Sequence, residues 1–161
     1  MTYQPKKILV ATDFSVGADV ALAAAADLAK LTGARITLLH VIPWSVLVDT
    51  ADAASDGGTY SSDVVAQEQE RAHKDLEKQA ALVRPTGVSV ETRVEVGPIP
   101  FAVSKIAQDE GFDLVATGTH GRTGLAHIVL GSVAEGIVRN SRCPVLTFPT
   151  PRSSLHQGSA K

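Results

Sequence analysis

The length and composition of the chain predict one globular domain, because 161 residues with 44% hydrophobic and 20% charged residues suffice to bury a core. A net charge of −2 and the absence of any apolar run of about 18 residues argue against nucleic acid and membranes as partners. A single cysteine and a first stretch without a signal-peptide pattern predict a cytoplasmic protein that has no internal disulfide.

The chain opens with a predicted strand and a predicted helix. Residues 8–11 form a continuous apolar run with a β-branched bias, which predicts a strand buried on both faces of a parallel sheet. Ser15 is expected to cap the helix that follows, and Gly33 is expected to end it. The apolar residues of this helix recur at intervals of three and four and predict its buried stripe: Val20, Ala21, Ala24, Leu28 and Leu31.

The middle of the chain holds a second strand, a loop, a long helix and a third strand. Residues 36–42 are apolar and predict a strand, whereas residues 43–60 lack clear periodicity and predict a long mobile loop. Residues 61–84 predict a polar helix with a sparse apolar stripe, namely Val64, Val65, Ala72, Leu76, Ala80 and Val83. The period-two alternation of residues 88–96 predicts a strand near the edge of the sheet.

The last third of the chain repeats the alternation. Residues 100–110 predict a helix with a proline in its first turn. Residues 113–117 predict a fourth strand, which a glycine-rich loop over residues 118–124 follows. Residues 132–140 predict a helix and residues 144–148 a fifth strand.

The order of these elements predicts the fold class. Strands that alternate with helices indicate an α/β fold with a single open, parallel, five-stranded sheet, right-handed crossovers and helices on both faces. We expect one domain over residues 1–149 and a polar, flexible tail over residues 150–161.

Residues suited to a ligand follow two of the predicted strands. The first strand ends in Thr12 and Asp13, and the fourth ends in the loop of residues 118–124. The next helix opens at Gly131 and Ser132. In an open α/β sheet, ligands bind outside the carboxyl ends of the strands where the strand order reverses. If the first and fourth strands are neighbours there, these residues converge on one crevice.

The chemistry of these residues favours a phosphorylated ligand with a sugar. Gly118 and Gly121 lack a Cβ, so their backbone can approach an anion closely and can adopt positive φ. A helix that begins near Ser132 offers free N–H groups and a favourable dipole to phosphate. Arg122 can add positive charge, and Asp13 can accept hydrogen bonds from ribose hydroxyls.

Each of these residues also has a purely structural interpretation. The glycines can be turn residues, Ser132 can be an ordinary helix cap, and Arg122 can be a solvated charge. His40 is expected to be a hydrogen-bonded core residue, and Cys143 to be packed and inert. The other histidines lack metal-ligand spacing, so no metal site is predicted. The P-loop, the dinucleotide fingerprint and the nucleophile elbow are absent from the sequence.

Four segments and one glycine pattern carry a resemblance to a known family. The segments are residues 7–15 (KILVATDFS), 38–41 (LLHV), 113–121 (DLVATGTHG) and 143–146 (CPVL). The pattern is Gly-x2-Gly-x9-Gly-Ser/Thr, which is matched by Gly118, Gly121, Gly131 and Ser132. On these residues the chain resembles the ATP-binding branch of the universal stress protein family from about Lys6 to Phe148.

The resemblance implies a Rossmann-like fold of the adenine-nucleotide α-hydrolase-like kind, with strand order 3-2-1-4-5. It implies that Asp13 holds the ribose, that the Val41 backbone meets the adenine, and that residues 118–122 and 131–133 hold the phosphates. Ala11 stands where family members often have proline. The expected nucleotide-binding set is Ala11, Thr12, Asp13, Val41, Gly118, Thr119, His120, Gly121, Arg122, Thr123, Gly131, Ser132 and Val133.

The expected function is that of an ATP-binding stress-response or signalling regulator without substantial catalysis. A slow ATPase or ATP-driven switch is an alternative, although hydrolysis needs a base or orienting group and Asp13 is the one obvious carboxylate near the crevice. A dimeric adaptor that binds no nucleotide is a further alternative. The sequence does not separate ATP, with or without Mg2+, from ADP, AMP or a cyclic nucleotide. The resemblance and the apolar last strand predict a homodimer through residues 144–148.

Overall fold

A computed structural model describes residues 2–50, 62–119 and 130–150, and it places five strands in one parallel sheet. The strands are β1 (Lys7–Ala11), β2 (Arg35–Ile42), β3 (Val90–Val96), β4 (Leu114–Gly118) and β5 (Val145–Phe148). Their order is β3-β2-β1-β4-β5, and every neighbouring pair is parallel. The predicted α/β fold and strand order are confirmed. Since β1 lies between β2 and β4, the strand order reverses at β1.

Five helices connect and cover the strands of the described chain. They are α1 (Val16–Thr32), α2 (Trp44–Thr50), α3 (Ser62–Val83), α4 (Ile99–Asp109) and α5 (Ser132–Asn140). One hydrophobic cluster joins the sheet to α1 and α3 through Leu22 and Leu76. A second cluster on the other face joins it to α4 and α5 through Val103 and Ile137. The central strands are therefore buried on both faces, which is why their sequences are continuous apolar runs.

Helix α1 begins and ends where the sequence predicts, but it buries a different stripe. The Ala18 amide donates to Ser15 Oγ at 3.3 Å, and Gly33 ends the helix in the left-handed conformation at φ 67°. The predicted stripe is wrong at Leu31, which is 85% exposed. The buried face consists of small residues and one leucine, namely Gly17, Ala18, Ala21, Leu22, Ala25, Ala26 and Ala29. Small side chains allow the helix to approach the sheet closely, so most of the residues that face it are small.

The predicted loop over residues 43–60 is wrong for its first part, which forms α2. Leu47 of this helix is fully buried and packs with Ile42 and Ala72. A helix of seven residues is too short for its periodicity to be recognised, and one buried leucine anchors it. Residues 51–61 lie outside the described residues.

The remaining boundaries agree with the predicted ones to within about two residues. Strand β3 forms one edge of the sheet, as its alternation predicts, and β5 forms the other. Cys143 is half-buried and packs against the α4–α5 cluster, and burial raises the pKa of its thiol. The packed and unreactive state expected for this cysteine fits both observations. The tail beyond residue 150 lies outside the described residues.

Candidate functional site

A cavity of about 810 Å³ opens at the carboxyl ends of β1, β2 and β4, where the strand order reverses. Its volume falls in the range of small-molecule sites. Nine residues of the expected nucleotide-binding set line it: Ala11, Thr12, Asp13, Val41, Gly118, Thr119, Gly131, Ser132 and Val133. The other four expected residues lie outside the described residues: His120, Gly121, Arg122 and Thr123. The fold thus brings together residues that are more than a hundred positions apart in sequence.

The turn after β1 holds Asp13 in a defined conformation. The Phe14 amide donates to Thr12 Oγ1 at 3.0 Å, and the Ser15 amide donates to Asp13 Oδ1 at 3.1 Å. Phe14 adopts φ 64°, a left-handed conformation that costs a non-glycine residue about 1–2 kcal/mol. No described residue is hydrogen-bonded to the second carboxylate oxygen of Asp13. One oxygen therefore supports the turn, and the other is available to a ligand in the cavity.

A polar network that runs from the buried Thr12 and Gln79 to the exposed Asp19 lies behind this turn, and it was not predicted from the sequence. Thr12 Oγ1 donates to Gln79 Oε1 at 3.0 Å, and Gln79 Nε2 donates to Asp19 Oδ1 at 2.6 Å. Gln79 is only 8% exposed and belongs to the buried face of α3. The one signal in the sequence was its spacing, three residues after the buried Leu76 and within the apolar stripe of the helix.

His40 combines the expected core role with a place in the cavity wall. Its Nδ1 lies 2.8 Å from the Thr12 carbonyl oxygen, and its ring centroid lies 4.5 Å from that of Phe14. Because a carbonyl oxygen only accepts, Nδ1 carries the proton in this contact. His40 is thus a hydrogen-bonded, half-buried residue, as expected, and it also lines the cavity.

The opposite wall of the cavity is the beginning of α5. Gly131 is the N-cap of this helix, and its amide donates to the Thr119 carbonyl at 2.8 Å. The interpretation of Ser132 as the helix cap is therefore wrong, because Ser132 occupies the first helical position. The first helical hydrogen bond is donated by Glu135, so the amides of Ser132, Val133 and Ala134 have no acceptor within the helix. All three residues line the cavity.

Gly118 has a packing role that the sequence interpretation missed. A Cβ at this position would lie 2.9 Å from the Gly17 carbonyl carbon and 3.1 Å from the Ala18 amide nitrogen. Its φ is not positive, nor is that of Gly131, which is −60°. The expected use of positive φ is wrong at Gly118, which instead allows the first turn of α1 to contact the end of β4.

Helix α3 contributes a charged wall that was not predicted. Glu68, Arg71 and Asp75 line the cavity together with Ala72. Their spacing places them on one face of the helix. The sequence pattern marks this face only as polar, so nothing in it distinguishes a cavity wall from a solvated surface.

The described ranges hold neither a cluster of metal-ligating side chains nor a helix suited to a membrane. In residues 2–50, 62–119 and 130–150, no three His, Cys, Asp or Glu side chains come close enough together to hold a metal ion. No helix in the same ranges has the length and apolar character that crossing a membrane requires.

The fold is that of an α/β domain with a cavity at the switch point of its sheet, and sequence comparisons identify its family. A sequence model of the Universal stress protein family matches residues 5–149. Universal stress protein MJ0577 of Methanocaldococcus jannaschii is 32% identical over 162 residues, which cover 95% of this chain and 100% of that protein. Universal stress protein MJ0531 of the same organism is 33% identical over 150 residues, which cover 91% and 84%. The chain belongs to the universal stress protein family.

Solved structures of the family share this architecture. The structure of MJ0577 matches with a TM-score of 0.79 at 32% identity and covers 92% of this chain and 98% of that chain. A universal stress protein in complex with cAMP matches with a TM-score of 0.69 at 21% identity, over 92% and 100%. The protein from Archaeoglobus fulgidus in complex with dAMP matches with a TM-score of 0.62 at 23% identity, over 92% and 99%. At the last two identities the likeness shows the fold alone.

Proposed function

We propose that this chain binds ATP at the carboxyl ends of β1 and β4 and acts as a nucleotide-dependent regulator in the stress responses of the cytoplasm. The observation that carries the proposal is a single cavity lined both by Asp13, whose second carboxylate oxygen has no hydrogen bond among the described residues, and by the first residues of α5, whose amides have no acceptor within the helix. A ribose hydroxyl can donate to the Asp13 carboxylate, and a phosphate group can accept from the amides at the start of α5.

The lining of the cavity fits the three parts of an adenine nucleotide. Leu39, Val41, Ile99 and Val103 provide an apolar surface suited to a purine ring. Asp13 would hold the ribose. The amides of Ser132 and Val133, with the helix dipole behind them, would hold phosphate oxygens. A bound Mg2+ would neutralise part of the phosphate charge.

The ligand is identified by mass analysis of the small molecules that the freshly purified protein releases on denaturation. Two proteins of the same fold hold an adenine nucleotide, cAMP in one and dAMP in the other. Isothermal titration with ATP, ADP, AMP and cAMP then ranks the four ligands. We expect ATP to bind most tightly of the four, and guanine nucleotides to bind at least tenfold more weakly than ATP. A protein that releases no nucleotide and binds none of the four is the adaptor, and the proposal is then wrong.

A slow ATPase is the second candidate, and the α3 wall favours it. The expectation that Asp13 is the one carboxylate near the crevice is incomplete, because Glu68 and Asp75 also line the cavity. A carboxylate can orient an attacking water. Phosphate release by the purified protein, measured with Mg2+, separates the two functions. If phosphate release is abolished in Glu68→Gln or Asp75→Asn, catalysis takes place at this site. If the wild type releases no phosphate, ATP acts as a bound regulator.

The assembly we propose is a homodimer through β5. In the described part of the sheet, β5 pairs with β4 on one side only. The Pro144 carbonyl accepts a hydrogen bond from Val115 of β4, and the Phe148 carbonyl accepts one from Thr119, which directly follows β4. Since successive residues of a strand direct their backbone groups to opposite sides, the N–H and C=O groups of Val145 and Thr147 point to the open edge. The same strand of a second copy would satisfy these groups.

A further inference from the structure

Gln79 occupies a position where α3 needs no polar side chain for its own packing. Its neighbours on the buried face are Leu76, Ala80 and Val83. A buried amide costs free energy on desolvation, and its hydrogen bonds do little more than offset that cost. An apolar residue of similar volume would therefore stabilise the helix about as well. The two hydrogen bonds of this side chain call for another explanation.

The hydrogen bonds of Gln79 have one consistent assignment. An ionised Asp19 carboxylate only accepts, so the amide NH2 group of Gln79 faces it and the amide oxygen faces Thr12. The Thr12 hydroxyl donates its one proton to that oxygen. Its lone pairs are then directed to the Phe14 amide, which donates to Thr12 Oγ1 at 3.0 Å. Each donor group in this chain of contacts, namely the Gln79 amide NH2, the Thr12 hydroxyl and the Phe14 amide, thus has an acceptor.

This chain of contacts ends at the turn that carries Asp13. Gln79 orients the Thr12 hydroxyl, and that hydroxyl holds the amide of Phe14, whose φ of 64° is unfavourable without support. Asp13 lies between Thr12 and Phe14, so its backbone direction depends on both. We propose that Gln79 is a positioning residue of the nucleotide site, which sets the Asp13 turn from α3. This role rests on the proposed function.

The test compares Gln79→Met with Gln67→Met. Methionine keeps the length and the unbranched shape of glutamine and removes its hydrogen bonds. Gln67 lies on the same helix and is exposed, so its replacement is the matched control. We expect Gln79→Met to weaken ATP binding about fivefold, as the loss of one buried hydrogen bond would. We expect the Phe14 amide of the nucleotide-free protein to exchange with deuterium about fivefold faster, since it loses its oriented acceptor. Gln67→Met should change neither value.

The result that overturns the proposal is unchanged ATP affinity together with unchanged exchange at Phe14, even if the melting temperature falls. That result is expected if Gln79 contributes only to the stability of the fold. If the wild type binds no nucleotide, the proposed function fails, whereas the exchange rate at Phe14 still reports whether Gln79 holds the turn.

A second pair of variants keeps the test valid if Gln79→Met does not fold. Thr12→Val removes the hydroxyl with little change of shape, and Thr12→Ser retains it. We expect Thr12→Val to reproduce the loss of affinity and the faster exchange, and Thr12→Ser to stay close to the wild type. Where Gln79→Met folds, the double variant with Thr12→Val should bind no more weakly than Thr12→Val alone, because both act through one hydroxyl. Additive losses would contradict the proposal.

Discussion

Gly118 at the end of β4 lies against the backbone of Gly17 in the first turn of α1, with room for no Cβ between them. The three nearest atoms that a Cβ would meet, at 2.9, 3.1 and 3.2 Å, all belong to the backbone and cannot rotate away. We therefore expect Gly118→Ala to lower the free energy of unfolding by about 1–3 kcal/mol, the usual cost of overpacking. Urea denaturation of the variant and the wild type measures this difference in the free energy of unfolding. Wild-type stability in this variant would show that α1 can shift without cost.

Gly131→Val, unlike Gly118→Ala, should weaken ligand binding and leave the stability of the fold largely unchanged. Gly131 has φ −60° and ψ 152°, a conformation open to β-branched residues, so we expect the fold to remain stable. Because Gly131 lines the cavity next to the amides at the start of α5, we expect a valine there to crowd the ligand and ATP affinity to fall at least tenfold, about 1.4 kcal/mol. Isothermal titration checks the affinity and urea denaturation the stability. If the folded variant binds ATP as tightly as the wild type, the phosphates do not bind at this end of α5.

Two substitutions of Asp13 separate its role in the turn from its role toward the ligand. Asp13→Asn keeps an oxygen for the Ser15 amide, whereas Asp13→Ala removes it. We expect Asp13→Ala to lose about 1–3 kcal/mol of ATP binding, because a ribose hydroxyl is left unpaired. The wild type should prefer ATP to 2′,3′-dideoxy-ATP, and Asp13→Ala should not. Equal binding of the two ligands by the wild type would show that the ribose lies elsewhere.

Thr147→Pro tests the dimer at the edge of β5. The Thr147 amide points to the open edge, so proline there removes a hydrogen bond between subunits and none to β4. We expect the wild type to be a dimer at micromolar concentration by light scattering, and Thr147→Pro to be a folded monomer. Leu146→Pro is the contrasting variant. The Leu146 amide of the wild type faces β4, so removing its N–H should destabilise the sheet itself. A monomeric wild type would contradict the proposed assembly.

Glu77 connects α3 to β3 and gives the stability a dependence on acid pH. Hydrogen bonds from Arg84, at 2.6 Å, and from Thr92, at 2.7 Å, lower the pKa of Glu77 from 4.5 to about 2. A lowered pKa in the folded state stabilises the protein above pH 4.5, and this contribution is lost as the pH falls toward 2. Because the pair is largely exposed, the effect is small and weakened by salt.

We accordingly expect Glu77→Gln to lower the melting temperature by about 1–3 °C at neutral pH and low salt. The difference from the wild type should narrow below about pH 4.5 and vanish near pH 2. Thermal melts followed by circular dichroism over this pH range measure it. A difference that stays constant down to pH 2 would show that the charge of Glu77 is not its cause.

The sequence by itself determined the family, the fold class and the places where most elements begin and end. Parallel strands covered on both faces are largely apolar, as are residues 8–11 throughout and residues 36–42 except at Thr37 and His40. Helix caps depend on one residue and its immediate neighbours, which is why Ser15 and Gly33 could be assigned from the sequence. The nine expected site residues that line the cavity lie at or just after the end of a strand, or they open a helix, and both positions can be recognised locally.

The tertiary structure alone decided which side chains support that site. Thr12 and Gln79 are 67 positions apart, and Gln79 and Asp19 are 60 apart. Only the packing of α3 beside α1 brings them into contact. The same holds for Gly118 and Gly17, whose contact depends on how closely α1 approaches the sheet. A local sequence pattern records the face on which a residue lies, whereas its partner across the interior depends on the packing of whole elements.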